Sequence, residues 1–419
     1  MFDILYGRLF LVRVVMLAAM FGLVAAGIAV IYAIGHPAGI TAGQDEWVGD
    51  FAGRWEKQVI FAVAGLLGLV LINIIDYRIL GPASYWLYGI TIILLAGLLL
   101  AKGLGTTFGG MTPEVKGAVC WYRFGPIQLQ PSEFCKITYI LVLAWYLRFR
   151  SNYHSFSGLI GPFGLTILAI VLILFEPDLG TVVLMIPIMC TMLFVAGARI
   201  KHFVLIITLA VIVSPFLWHM LEPYQRMRIS CLVLQNEWVM DKAKHNDTLA
   251  EVLVGHKRHL NNMERNQSYQ LVQAKRAIAS GGLTGFGWRN GPYVQYNYLP
   301  DRHNDFIFAI TAHQWGFWGC LGILSLYGII IACGIEIASS NTDPFARLIA
   351  VGIISMFAIQ VIVNIGMNVG LMPITGITLP LISYGGSSLV VNMAAIGLLQ
   401  NIGRVRPYNL AGNSFSYGN

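Results

Sequence analysis

The sequence predicts an all-α polytopic integral membrane protein with ten transmembrane helices and a long extracytoplasmic loop between helices seven and eight. Three observations predict it. Of 419 residues, 57% are hydrophobic and 11% are charged, against about 25% charged in an average soluble domain. Mean hydropathy is +0.68, more apolar surface than a soluble fold of this length hides, because much of any soluble surface must be polar. The apolar residues run continuously instead of alternating, which argues against an outer-membrane barrel. The same arithmetic excludes a cytosolic enzyme, a disordered chain and a disulfide-rich secreted module.

A span needs about 20 apolar residues. Candidate spans lie at about 9–34, 58–75, 84–101, 133–149, 157–175, 181–198, 202–219, 305–336, 345–370 and 378–402. The first is too long for a signal-peptide core and other spans follow, so it is read as retained. An even number of spans puts both termini on one side, and the basic residues choose which. With termini inside, the inner segments hold ten basic residues: Arg8, Arg13, Arg78, Arg148, Arg150, Arg199, Lys201, Arg347, Arg404 and Arg406. The short outer loops hold five: Arg54, Lys57, Lys102, Lys116 and Arg123. Both termini are therefore expected in the cytoplasm.

The long loop, 220–304, carries eleven Lys/Arg against seven Asp/Glu. Its middle has apolar residues at mixed helical spacing, so one or two short helices at the membrane surface are expected. No fixed-period repeat or low-complexity linker divides residues 1–419, which read as one integral domain. The net charge of +7 comes without a Lys/Arg tract. It points to topology and anionic lipid head groups, not to nucleic acid. The six cysteines show no metal-ligand spacing. Four read as small buried hydrophobes; Cys120 and Cys231 fall in loops on one side, which leaves a disulfide between them open.

Charges at a bilayer need a reason. Asp305, in LPDRHNDFIFAI, sits where a polar loop enters an apolar helix. It reads either as a helix cap or first-turn carboxylate, worth about 1 kcal/mol, or as a general base beside Arg302 and His303. In QPSEFCK, Ser132 and Glu133 form a helix-start signature with Lys136 one turn on. That is either a cap with a partly buried ion pair, or the lining of a polar cavity. In PLISYGGSS, Pro380, Gly385 and Gly386 interrupt an apolar stretch. Such a break is either a packing kink or an anion or sugar site built from Ser383, Ser387, Ser388 and freed amides. FEPDLGT, residues 175–181, joins two spans with two acids and a turn, and SGGLTGFGW, residues 280–288, is glycine-rich without matching a nucleotide fingerprint. The nine histidines make no zinc motif, and His313 reads as a packed, hydrogen-bonded group.

KGAVCWYRFGPIQLQPSEFCK, FEPDLGT, YQLVQAKRAIASGGLTGFGW, LPDRHNDFIF and TGITLPLISYGGSS occur in this order. Together they resemble the SEDS family of cell-wall polymerases (shape, elongation, division and sporulation), from the first span to Arg406. NIGMNVGLMPITGI and NMAAIGLLQNIGR look more like the RodA (elongation) branch than the FtsW (division) branch. The resemblance implies a peptidoglycan glycosyltransferase of the cytoplasmic membrane that polymerises lipid II into a nascent glycan strand on the outer side of that membrane. It also implies a class B penicillin-binding protein as partner, beside other elongation-complex membrane proteins and membrane lipids. The family's essential acid falls on Asp305, and its cavity motif on Glu133 and Lys136. Three departures stand out: Cys120 replaces a basic residue, His313 and Gln314 replace an acidic pair, and residues 232–266 look inserted.

Sugar transfer needs a base near the acceptor hydroxyl and positive charge near the diphosphate. Asp305 is expected as the base, and Arg302, Lys275, Arg123 or Lys136 as the cation. A divalent cation such as Mg or Mn can share that task, although no ligand cluster requires one. Two other classes compete: a lipid II flippase, and a scaffold for the penicillin-binding protein.

Overall fold

The computed structural model describes residues 2–39, 49, 51–105, 110–113, 119–125, 127–149, 156–221, 223–255 and 267–404. Lys116, Arg150, Arg406 and the 256–266 part of the expected insertion lie outside the described residues.

Each apolar run coincides with a helix. In chain order these are α1 (Phe2–Gly35), α2 (Arg54–Ile74), α3 (Tyr77–Leu104), α4 (Pro131–Leu147), α5 (Ile160–Phe175), α6 (Leu179–Val195) and α7 (Ile200–Met220). The long loop then folds into α8 (Pro223–Leu234), α9 (Glu237–His245), α10 (Asp247–Val254), α11 (Gln267–Gly281) and the single turn α12 (Pro292–Gln295). The chain closes with α13 (Ile307–Ser340), α14 (Pro344–Val369) and α15 (Gly386–Arg404). Among the described residues, α2, α3, α13, α14 and residues 9–35 of α1 are long and apolar enough to cross a membrane. A two-stranded hairpin, β1 (Tyr122–Phe124) and β2 (Ile127–Leu129), pairs Arg123 with Gln128 and leads into α4.

The helices start where local chemistry starts them. Asp76, Asp178 and Asp343 each accept a bond from a backbone amide of the first turn of α3, α6 and α14, satisfying donors that a helix start leaves unpaired. Pro131 and Pro344 stand at first-turn positions, where no amide is needed. The strongest packing runs α2 against α15, α3 against α4, α1 and α11 against α13, and α13 against α14. In α2 only Gln58, Gly65 and Leu69 are buried, while Ile60, Leu67, Leu71 and Ile74 are more than half exposed. One face of α2 thus packs on the bundle and the other presents hydrocarbon outward, as a lipid-facing helix does.

The glycine-rich segment 280–288 has a structural task. α13 is broken at Gly316 (φ 62°, ψ −159°). The break loses the helical bonds from the amides of Phe317 and Trp318 to the carbonyls of His313 and Gln314. Four strand-like bonds replace them. The amides of Phe286 and Gly287 donate to the carbonyls of His313 and Gln314 (3.0 and 2.9 Å), and those of Phe317 and Trp318 donate to the carbonyls of Gly282 and Leu283 (2.9 and 3.3 Å). Backbone meets backbone here, so a Cβ on Gly316 would lie within about 2.6 Å of Gly285 N and Leu283 C.

The disulfide that the sequence left open does not form, and two expectations are corrected. All six cysteines are free: Cys120 Sγ donates to the carbonyl of Glu176 (2.8 Å), and Cys231 Sγ lies 3.8 Å from Ser268 Oγ. Residues 378–385 are not helical; the last helix starts only at Gly386. α13 begins at Ile307 with Phe306 in the cap position, so Asp305 stands before the cap. The middle of the long loop does form two short helices, α9 and α10, each started by an Asn236 or Asn246 side chain.

Gly316→Ala is expected to destabilise the protein by about 2–4 kcal/mol, from backbone strain plus overlap. Gly322→Ala, a helical site with open space around its Cβ, should be neutral or slightly stabilising. Melting in detergent checks both.

Candidate active site

The non-helical segment 371–385 is the hub of the site. Pro380 and the glycines around it free backbone groups inside an apolar bundle, where each unmet group is costly. Buried and half-buried side chains answer them. Asn364 Nδ2 donates to Ile377 O (2.7 Å), Gln58 Nε2 to Ser383 O (3.1 Å), and Arg228 Nη1 to Thr375 O (3.3 Å). Tyr327 donates its hydroxyl to Pro380 O. Ser383 Oγ accepts from the amide of Leu379 (2.8 Å) and donates to Asn304 O (2.7 Å).

Asp305 is half-buried next to this hub. Its carbonyl accepts from Asn364 Nδ2 and Asn368 Nδ2, each at 3.0 Å. Both asparagines are fully buried on α14, one turn apart. The loop before Asp305 is pinned on the other side, where the amide of Tyr384 donates to His303 O (2.9 Å). The aspartate therefore sits in a polar setting of amides and hydroxyls fixed by two separate elements.

The other motifs converge on the same hub. Asp178 accepts from Thr181 N (3.1 Å), Thr181 Oγ1 (2.9 Å), Ser132 Oγ (2.7 Å) and Gln130 Nε2 (3.3 Å). One carboxylate thus ties the N-terminus of α4 to that of α6. Ser387 Oγ accepts from Gln130 N (3.1 Å) and donates to Gln128 O (3.0 Å), which ties in α15. Ser388 Oγ lies 3.0 Å from Thr378 Oγ1. The three serines brace the segment through hydrogen bonds to the protein itself.

Glu133 and Lys136 form a 2.8 Å ion pair with side chains 10% and 2% exposed. The ion pair that the sequence offered as one reading is therefore present, and it is largely buried. Arg302 is fully buried and donates through Nη1 to the carbonyls of Tyr293 (2.9 Å), Val294 (3.5 Å) and Tyr296 (2.9 Å). Burial, with the neighbouring Arg54 charge, pulls its pKa down to about 9. It braces the turn before Asp305 from inside and does not face solvent. His303 is buried; Arg54 Nη1 donates to its Nε2, and the Phe51 and Tyr384 rings stand 5.1 and 5.7 Å away. Arg123 is exposed on the hairpin. Lys275 is exposed, and its Nζ donates to Gln235 Oε1 (2.7 Å), whose amide in turn donates to Gly370 O at the end of α14.

Four groups escaped sequence reasoning: Asn364, Asn368, Arg54 and Arg228. The asparagines sit in NIGMNVG, where two amides one turn apart in an apolar helix were the available signal. Arg54 and Arg228 carried none, because only the fold brings them to the hub. His313, by contrast, is where the sequence put it: buried, 2.8 Å from Ser280 Oγ. Among the described residues no three His, Cys, Asp or Glu side chains stand together as a metal site.

A family model for FtsW, RodA and SpoVE, described as "Cell cycle protein", matches residues 9–408. Stage V sporulation protein E of Bacillus subtilis is 36% identical over 356 residues, 84% of this chain and 87% of the relative. Peptidoglycan glycosyltransferase MrdB of Escherichia coli K12 is 32% identical over 355 residues, 84% of this chain and 86% of the relative. A chain from a solved peptidoglycan synthase complex, described as coordinating polymerization and crosslinking, superposes with a TM-score of 0.70 at 29% identity, covering 93% of this chain and 96% of that one. The Rod shape determining protein RodA of Thermus thermophilus superposes with a TM-score of 0.59 at 26% identity, covering 93% and 95%. Relatives named for elongation, division and sporulation all match, so these likenesses do not separate the branches. A match over nearly the whole chain, on a helical bundle with those motifs gathered at one hub, places this chain in the FtsW/RodA/SpoVE (SEDS) family of peptidoglycan glycosyltransferases.

Proposed function

We propose that this protein polymerises lipid II into glycan strands on the outer face of the cytoplasmic membrane, in the elongation branch of the family, with Asp305 as general base. The observation that carries the reading is the placement of Asp305, half-buried at the mouth of α13 and held through its carbonyl by Asn364 and Asn368. A base must stay within hydrogen-bond reach of the proton it takes, and a backbone clamped from two sides keeps it there. The acceptor hydroxyl gives its proton to the Asp305 carboxylate as its oxygen attacks the anomeric carbon. The bond to the diphosphate breaks in the same event, and polyprenyl diphosphate leaves. An aspartate has an ordinary pKa of about 3.9 and is a weak base, which favours concerted transfer.

The departing diphosphate needs positive charge. Of the four cations the sequence offered, Lys136 and Arg302 are buried and committed, whereas Lys275 and Arg123 reach solvent. We assign the diphosphate to those two, with Arg228 of α8 beside the hub as a third. The prenyl tail lies against the exposed apolar helix faces. A class B penicillin-binding protein fits as partner, because a strand made outside the membrane must next be crosslinked there, and one structural relative comes from a complex that couples the two steps. In this reading both termini are cytoplasmic, ten helices cross the membrane, and residues 220–304 lie outside.

Glu176 deserves separate treatment because its chemistry differs from that of Asp178. It lies in the link between α5 and α6, is fully buried, and neither carboxyl oxygen has a hydrogen-bond partner among the described residues. Burial first, and the Asp178 charge second, push its pKa from 4.5 up to about 9. The group is thus a neutral acid at pH 7. A carboxyl with a raised pKa contributes stability that is complete below about 4.5 and lost as pH rises toward about 9.

Three outcomes follow. Asp305→Asn should abolish polymer formation from purified lipid II, with or without the penicillin-binding protein, while the melting temperature holds. Polymer from the variant refutes the base, and no polymer from the wild type favours a flippase. Lys136→Met alone should cost about 3–5 kcal/mol by stranding a buried carboxylate, and Glu133→Gln with Lys136→Met should recover part of it. Glu176→Gln should match wild type at pH 5 and flatten its stability loss between pH 5 and 9, read from melting curves across that range.

A further inference from the structure

We propose that Tyr296 and Tyr298 form a stacking platform for sugar rings, which receives the glycan strand on the loop that leads to Asp305. The proposal rests on the polymerase reading, because the strand it would hold is that reaction's product.

Two contacts with α1 fix the height of this loop. Trp288 Nε1 donates to Ala29 O, inside the helix, whereas Gln295 Nε2 donates to Ala38 O (3.2 Å), beyond the helix end at Gly35. Trp288 therefore occupies the level at which aromatic residues border lipid. Tyr296 and Tyr298 follow Gln295 and stand past the end of the helix. Their side chains are 52% and 45% exposed, with ring centroids 5.5 Å apart and planes inclined by 40°. Neither hydroxyl bonds to a described residue.

The two rings are exposed, yet their positions are set from beneath. Tyr298 meets Tyr293 edge to face (5.9 Å), and the Tyr293 hydroxyl donates to Gln273 Oε1 on α11 (2.8 Å). The buried Arg302 holds the backbone through the carbonyls of Tyr293 and Tyr296, each at 2.9 Å. One guanidinium thus shapes the loop that carries both rings, from within the turn that ends at Asp305.

This arrangement fits a saccharide. A pyranose presents C–H bonds on its faces and hydroxyl or acetamido groups at its rim. The face of a tyrosine ring is the negative part of its quadrupole and attracts such C–H groups, while the phenol oxygen makes a polar contact at the edge. Adjacent rings can take successive sugars of one strand. Gln273 Nε2 donates to no described residue, so a further donor stands beside the platform. Rings fixed in advance lose little freedom on binding. Tyrosines also serve protein interfaces, but the core of such a patch is apolar. Here Val294 and Leu299 are buried, and the exposed neighbours of the rings are Asn297 and Pro300.

The test uses the full-length protein in detergent and chitohexaose, a β-linked amino-sugar oligomer without a diphosphate, so that binding is read apart from polymerisation. Calorimetric titration should show Tyr296→Ala/Tyr298→Ala binding at least about tenfold more weakly than wild type. Tyr296→Phe/Tyr298→Phe keeps both ring faces and should stay within about threefold of wild type. Trp86→Ala removes a 78% exposed ring from α3 and should bind as wild type does. If the alanine pair melts early, Tyr296→Ala alone, which removes the more exposed ring, should still lose about threefold. With lipid II as substrate, the alanine pair should make shorter strands than the phenylalanine pair. Equal affinity in wild type and both alanine variants overturns the platform, as does the absence of wild-type binding at millimolar hexaose. Unchanged hexaose binding with lost capture of the purified penicillin-binding protein overturns it in favour of a protein contact. Hexaose binding that depends on the rings, in a wild type that makes no polymer, keeps the platform and removes the polymerase reading instead.

Discussion

A peptide group that leaves a helix inside an apolar bundle must find a partner in the protein, and the site is built around meeting that requirement. Residues 371–385 abandon the helix, and their carbonyls are taken by Asn364, Gln58, Tyr327 and Arg228. Asn364 serves twice, since the same amide nitrogen also reaches Asp305 O. The bonds that make the irregular segment tolerable are the bonds that place the aspartate. The irregular segment and the Asp305 backbone thus share one set of donors, and a substitution in that set disturbs both.

Charge is sorted with the same economy. Asp178 collects four donors from two helix starts, while Glu176, two residues away, collects none among the described residues, and burial with the Asp178 charge pushes its pKa up to about 9. Lys136 spends its charge on Glu133, and Arg302 spends its charge on three carbonyls. Lys275 and Arg123, by contrast, are exposed, as are Lys57, Lys102 and Arg276. Separating structural from available charge in this way limits where an anionic substrate can be drawn.

The architecture was largely legible in the chain. Long apolar runs have one economical solution in lipid, and each run overlaps a helix, although the starts of three differ from the expected ones by seven or eight residues. The final run was misread at its start, because a hydropathy window counts Leu379, Leu381 and Ile382 as helix although the backbone around Pro380 cannot continue one. Of the site, the acids and serines were visible as polar residues in apolar company. Their duties were not. Whether Arg302 faces out or in depends on the carbonyls of residues 293–296 that the turn presents to it, and whether Cys120 and Cys231 meet depends on packing, not spacing. Glycine richness at 280–288 was equally mute until Gly316 supplied the facing break.

That break changes what the Asp305 end of α13 is attached to. Ordinarily a helix of this length is a rod, and a push at one end arrives at the other. Here the rod is cut at Gly316, and both sides of the cut are stitched edge to edge onto the 282–287 turn. The aspartate's helix consequently shares a joint with the loop that follows α11, and whatever leans on that loop acts on both halves of the helix at the cut.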